Sequence, residues 1–398
     1  MTPDERRSLA ALMPISFVDM IGFSMLLPLI PFYAEEFGAS YWVIGVLIGT
    51  YALAELMTAP FWGRASDHLG RRRLILVGIS VSAGAYVLFG FASSVLVLFV
   101  SRFVQGVGGG KVSAVQAYVA DSVRPEVRAQ AIGWHTAATS AGVIIGPAVG
   151  SWMAGIDRSA PGLFAAALCL TNAWAAWKWL PESKQSRATK KNAVLPACLR
   201  VVTHPLHPVC TPIIVYALGM MAFMAMNAMM ALYLGQRFGV TETTIWPFYT
   251  YVASITMLCR LFVIGPIVRR LGEIRTLRLG AALLALGYLL IPLSFDVWSF
   301  AAAVLWIPVG TALLFPTTTA LVSRRVDEQE VGATLGVQQA YGGVARLVGP
   351  LWSGLAFQQL GVDAPMWIAA AVMLLGFMVS FTIHRGNGQD SILEPIPS

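Results

Sequence analysis

Six charged side chains lie deep inside apolar stretches long enough to cross a membrane: Asp19, Glu55, Arg102, Lys111, Arg260 and Arg346. A charge at mid-bilayer costs roughly 2.5–3.5 kcal/mol on insertion scales, so such groups persist where they face a cavity or a partner. Both acids lie in the first half of the chain. A carboxyl withdrawn from water holds its proton more tightly and a nearby cation loosens it, so a solute or a moving base can switch it between two states. Those are the parts of a proton-coupled carrier. Asp19 is expected to be the principal proton or substrate carboxylate, with Arg102 as its partner. Glu55 comes second, as a site residue or a structural hydrogen bond to another helix. Lys111 stands nine positions after Arg102, on the opposite face of an ideal helix. Both reach one cavity only if Gly106, Gly108, Gly109 and Gly110 distort that helix. Lys111 then either meets an anionic group of the solute, the reading preferred here, or pairs with a neighbouring helix. Arg346 sits too deep to snorkel and is expected in a cavity or a buried pair, whereas Arg260 could snorkel or serve a site. Asn227 lies among Met220, Met221, Met224, Met226, Met229 and Met230, soft side chains suited to an adaptable pocket or to core packing.

The elements that must hold these groups are membrane helices. Of 398 residues 57% are apolar and 12% charged, about half the charge of a soluble domain. Apolar stretches of about 20 residues, enough for a hydrocarbon core about 30 Å thick, are expected at 9–33, 42–62, 74–93, 95–118, 129–153, 160–180, 209–235, 245–266, 276–295, 298–322, 331–357 and 364–384. A lone segment in lipid must satisfy its own backbone, which leaves the helix. The net charge of +7 is topological and implies no nucleic-acid partner. Of 27 Lys and Arg, only Arg158 and Arg237 fall in the odd-numbered connections. Apart from the four bases deep within spans, the rest lie at the termini, in the even-numbered connections or at the inner ends of spans six and nine. By the positive-inside rule both termini are expected in the cytoplasm, with the chain multi-pass in the cytoplasmic (inner) membrane. Trp42, Trp246 and Trp298 sit near outer ends as interface anchors. Asp19 and the length of the first segment mark it as a retained span, not a signal peptide.

A polar, basic stretch at 181–208 separates six spans (1–180) from six (209–398), and an internal repeat supports that division. Gly63–Arg73 (GRASDHLGRRR) returns as Gly265–Arg275 (GPIVRRLGEIR), Ala117–Gly133 as Ala320–Gly336, and Gly146-Pro147 as Gly349-Pro350, at an offset of 202 to 203 residues. Duplicated six-span halves with a binding site near mid-membrane are a known transporter plan. At these offsets Asp67, Arg71 and Asp121 become Arg269, Glu273 and Arg324, every sign reversed. Glu273 is therefore expected either to pair with Arg324, as a charge-swapped counterpart of an Arg71–Asp121 pair, or to reflect plain drift. Gly142, Gly146 and Gly150 recur every four residues, so one helix face can approach a neighbour closely, and Pro147 adds a bend.

Taken together, Gly63-Arg-Ala-Ser-Asp67-His-Leu-Gly70-Arg71-Arg72, Asp19-Met-Ile-Gly22, Arg102-Phe-Val-Gln105-Gly106, GVIIGPAVG at Gly142–Gly150 and Pro181-Glu182-Ser183 resemble the major facilitator superfamily. The closer resemblance is to its twelve-span drug/proton antiporters, which include the tetracycline exporters; Ala117-Tyr-Val-Ala-Asp121 looks particularly like the latter. The resemblance covers the whole chain. It implies an all-α integral membrane fold, twelve helices in two pseudo-symmetric six-helix bundles, working as a monomer by alternating access. It implies that Gly63, Asp67, Gly70, Arg71 and Asp121 form a cytoplasmic latch, with Asp67 at the start of span eleven and Arg71 on Asp121; a solvated basic loop is the plainer reading. It places the glycine face of span five at the interface between halves, and Asp19 and Arg102 at positions the family uses. Lys111 departs from the pattern, which has a small residue there.

The expected function is secondary active transport by proton-coupled antiport, exporting a small amphipathic solute or drug, with the proton gradient as energy source and no cofactor. Four deep bases against two deep acids favour a second reading, an exporter or flippase of an anionic metabolite or lipid. A membrane enzyme or sensor is remote, since no nucleophile stands with a matched base. No metal site is expected from Cys169, Cys198, Cys210 and Cys259 or the scattered histidines. GVGGGK at Gly106–Lys111 fails as a phosphate loop, because Gln105 replaces its first glycine and Val112 its Ser or Thr.

Overall fold

A computed structural model describes residues 3–182, 194–205, 207–327 and 330–383. Among them every regular element is helical, and nine stretches are long and apolar enough to cross a membrane. Joined across short interruptions, the helices make twelve rods. Span one is α1 (Pro3–Leu26) with α2 (Leu29–Glu36). Spans two and three are α3 (Tyr41–Leu69) and α4 (Arg71–Gly90), and span four is α5 (Val95–Gly109) with α6 (Lys111–Ser122). Spans five and six are α7 (Pro125–Ala154) and α8 (Ala160–Trp179).

A short helix in the connecting stretch, α9 (Val194–Thr203), leads to span seven, α10 (Cys210–Phe238). Span eight is α11 (Trp246–Leu258), a π-helical turn at Cys259–Val263, and α12 (Ile264–Leu271). Then come α13 (Glu273–Leu290), α14 (Val297–Val304) with α15 (Trp306–Arg324), α16 (Val331–Leu360) and α17 (Ala364–Val379). The interruptions have local causes. Pro28 follows α1, and Gly110 ends α5. Pro266 lacks the N–H that would reach Phe262 and its ring crowds that carbonyl, so the turn before it widens and Ile264 N–H reaches back to the Cys259 carbonyl.

By contacts the chain divides into two compact units, Met1–Thr189 with Leu234–Ala253, and Lys190–Tyr233 with Ser254–Ser398. The repeat is visible within each. The turn between spans two and three passes through Gly70 at φ +90°, and the turn between spans eight and nine through Gly272 at φ +75°, a region open to glycine at little cost. In the first unit the glycine face of α7 lies on α1: a Cβ on Gly142 would come 2.6 Å from the Phe17 carbonyl oxygen, and one on Gly150 would collide with Met25. In the second, Gly349 of α16 lies as close to α10, 2.6 Å from the Met221 carbonyl oxygen on the same test. Span five on span one is thus matched by span eleven on span seven. The α9 helix buries Val201 with Val209, Ile213, Val322 and Val337 of the second unit, and Tyr341 Oη donates to the Cys198 carbonyl at 2.7 Å.

Candidate functional site

The deep charges of the first unit, Asp19, Glu55, Arg102 and Lys111, lie on α1, α3, α5 and α6, with α4 packed against them. Lys111 opens α6 directly after the break at Gly110 and projects to α1, where its Nζ lies 2.5 Å from Asp19 Oδ1. The ammonium also donates to Ser82 Oγ of α4 at 2.9 Å. Room for this lysine comes from α4 itself, since a Cβ on Gly78 would lie 2.6 Å from Lys111 Cβ. The side chains are 9% and 13% exposed, so the pair is nearly sealed from solvent. Cys169 of α8 lies within electrostatic reach of both charges.

Two expectations are corrected by this geometry. Asp19 is paired with Lys111, not Arg102. Lys111 pairs with a neighbouring helix, and its ammonium is committed to this chain's own carboxylate. Arg102 is fully buried, with its guanidinium carbon 5.7 Å from the Phe89 ring centroid. Its Nε and Nη2 have no hydrogen-bond partner. Tyr86 links the two charge centres: it lies within electrostatic reach of Asp19 and Arg102 and accepts from Gln105 Nε2 at 2.9 Å. Ideal-helix geometry places Arg102 and Lys111 on opposite faces of one helix; span four is interrupted between them at Gly110. Half-buried Glu55 stands beside that interruption, its Cγ 3.5 Å from where a Gly109 Cβ would be.

At the end of the unit that carries Gly70, Arg71 Nε lies 3.3 Å from Asp121 Oδ2, with side chains 14% and 12% exposed. Gly70 leaves room for Glu182, whose Oε1 accepts from Arg72 N at 3.1 Å, and Arg72 Nη2 donates to the Trp177 carbonyl. The side chains of Gly63 and Asp67 lie outside the described residues. Ser24 Oγ donates to the Gly142 carbonyl at 3.2 Å, and the close contacts of Gly142, Gly146 and Gly150 all fall on α1, which follows from a stripe lacking side chains on the face turned to that helix. Pro147 sits within α7.

In the second unit Arg324 Nε lies 3.2 Å from Glu273 Oε1, with Arg324 76% exposed. Arg346 of α16 is half-buried within electrostatic reach of Tyr216. Asn227 Nδ2 donates to the Phe223 carbonyl of its own helix at 2.9 Å. Met226, Met229 and Met230 are buried, and Arg260 is exposed in the π turn. Among the described residues no cluster of His, Cys, Asp and Glu suits a metal ion. Residue reasoning missed Ser82 and Gly78, the positions that admit and hold Lys111. The Gly-x-x-x-Ser spacing on span three is the signal that could have found them.

The model of the Major Facilitator Superfamily matches residues 12–350 and 261–395. Multidrug resistance protein 2 of Bacillus subtilis (strain 168) is 29% identical over 372 residues, 90% of this chain and 91% of the relative. Tetracycline resistance protein, class G, of Vibrio anguillarum is 27% identical over 90% of this chain and 93% of the relative. The crystal structure of the human organic anion transporter MFSD10 (TETRAN) superposes with a TM-score of 0.72 at 23% identity, covering 95% of this chain and all of that one. The chain is a multi-pass membrane transporter related to the drug/proton efflux antiporters, and it belongs to the Major Facilitator Superfamily.

Proposed function

We propose that this transporter exports a small amphipathic solute from the cytoplasm in exchange for protons, without a cofactor. It would act as a monomer of the cytoplasmic membrane with both termini inside. The halves 1–180 and 209–398, joined by the linker 181–208, would expose the solute to the two sides of the membrane in turn. The carrying observation is the buried Asp19–Lys111 pair. A proton reaching Asp19 cancels its charge and dissolves the pair, and loss of that proton restores it, so two packing states of α1 against α6 follow the proton. Burial makes the difference large, because a lone charge in a low-dielectric interior is strongly disfavoured. The Arg71–Asp121 and Arg324–Glu273 pairs would latch and release the cytoplasmic side. The full-length relatives named for multidrug and tetracycline resistance support the solute class.

The test is proteoliposomes with an imposed pH gradient and an internal pH dye. Adding tetracycline, or neutral and anionic amphiphiles from a panel, should make the gradient decay faster, and Asp19→Asn should abolish that effect. Solute movement independent of the gradient, or unchanged in Asp19→Asn, overturns the reading. A second reading, export of an anionic metabolite or lipid, is favoured by Arg102, a fully buried guanidinium with two nitrogens unpartnered. Movement of the anionic members of the panel alone would select it.

A further inference from the structure

We propose that Lys111 sets the charge selectivity of the transporter: it is a tethered counter-ion that occupies Asp19 and bars solutes whose only charge is a cation. The inference rests on the proposed function, in which Asp19 carries the proton, and adds that the same carboxylate lies where a solute would meet it; it narrows the solute class to neutral or negatively charged molecules.

The groups that meet the Asp19–Lys111 pair come from two further elements, α4 and α8. Ser82 of α4 holds the ammonium at 2.9 Å, and the carboxylate takes the same ammonium at 2.5 Å. Tyr86 of α4 and Cys169 of α8 lie within electrostatic reach, and neither is charged in its ordinary protonated form. Among the described residues Asp19 is the one carboxylate bonded to Lys111. A cationic solute competing for Asp19 must therefore evict the lysine, leaving an ammonium whose remaining partner is a hydroxyl. Breaking one side of a buried pair in this way is strongly unfavourable.

The lysine is also placed by packing. Lys111 Cβ lies against α4 at Gly78, where a Cβ would come 2.6 Å from it, so the root of the side chain is held beside Ser82 of the same helix. A neutral or anionic solute requires no such exchange. It meets a cluster whose acid is already neutralised and whose Arg102 retains unpartnered N–H groups. Repulsion and occupancy act together here, as discrimination by an element built against the wrong ligand requires.

The experiment is equilibrium binding of radiolabelled tetraphenylphosphonium to purified full-length protein in detergent, which depends on neither proton coupling nor the direction of transport. Wild type and Lys111→Arg should bind it weakly, Lys111→Met at least tenfold more tightly, and Asp19→Asn/Lys111→Met weakly again. Lys111→Gln provides the same comparison should the methionine variant not fold. Wild-type binding as tight as that of Lys111→Met, or a gain that survives loss of Asp19, overturns the proposal. Tight wild-type binding that Asp19→Asn removes overturns it without any Lys111 variant. Failure of proton exchange in proteoliposomes, with the tenfold gain intact, would remove the antiport reading and leave the selectivity role standing.

Discussion

The two halves carry one packing scheme and unlike chemistry. Gly146 lies on Ile21 and Met25, and Gly349 on Met221 and Ala225, which aligns Asp19 with Gly219. Gly78 faces Lys111, and Gly280 faces Leu313 and Leu314. Where the first half joins Asp19 to Lys111, the second brings Gly219 against Leu314, a Gly219 Cβ lying 2.9 Å from Leu314 Cδ2. The corresponding spans of the second half approach closely through an apolar contact. Close packing at this place therefore does not require the charge pair, which is the sense in which a site is grafted on a fold.

The comparison can be broken most severely by moving the lysine. Leu314→Lys puts an ammonium at a fully buried position with no acid opposite, and should cost about 3–5 kcal/mol. Leu314→Lys/Gly219→Asp should recover part of that loss. Thermal unfolding in detergent reads both, and a double variant no better than the single would mean the two contacts are not equivalent. Next in size are Gly146→Leu and Gly349→Leu. Each drives a side chain into the backbone of span one or span seven, at about 1–3 kcal/mol or more, and similar losses in the two variants would sharpen the case that these faces correspond.

The smallest expected effect separates the loop pairs. Arg324→Ala removes a largely exposed partner and should change stability by under about 1 kcal/mol. Arg71→Ala removes a guanidinium only 14% exposed and should cost more, although the acids left behind, Asp121 at 12% and Glu273 at 15%, are equally sheltered. Equal melting shifts would erase the contrast between a sheltered and an exposed arginine.

Much of this was legible in the residues. Hydropathy alone delivers the spans, since lipid admits little besides apolar helices, and the offset repeat identifies the halves. The reversed signs at Glu273 and Arg324 point to their contact because a pair exchanging partners across a duplication keeps its attraction. The partner of Lys111 was not legible. Periodicity reports which face of a helix is apolar and says nothing of which neighbour covers it. The nine-residue spacing from Arg102 also presumes an unbroken helix, whereas span four is interrupted at Gly110. The glycine face of α7 was readable as a close-packing surface, while the helix it meets is decided by tertiary structure.

The π turn at Cys259–Val263 carries this difference between sequence and space further. A wide turn accommodates one surplus residue, so side chains beyond it are carried about 100° around the axis from where a continuous α-helix would aim them. Arg269 and Arg270 follow that turn on α12, whereas α3 runs to Leu69 without one. The basic end of span eight therefore shares a register with the end of span two along the chain, and presents its charges at a different azimuth.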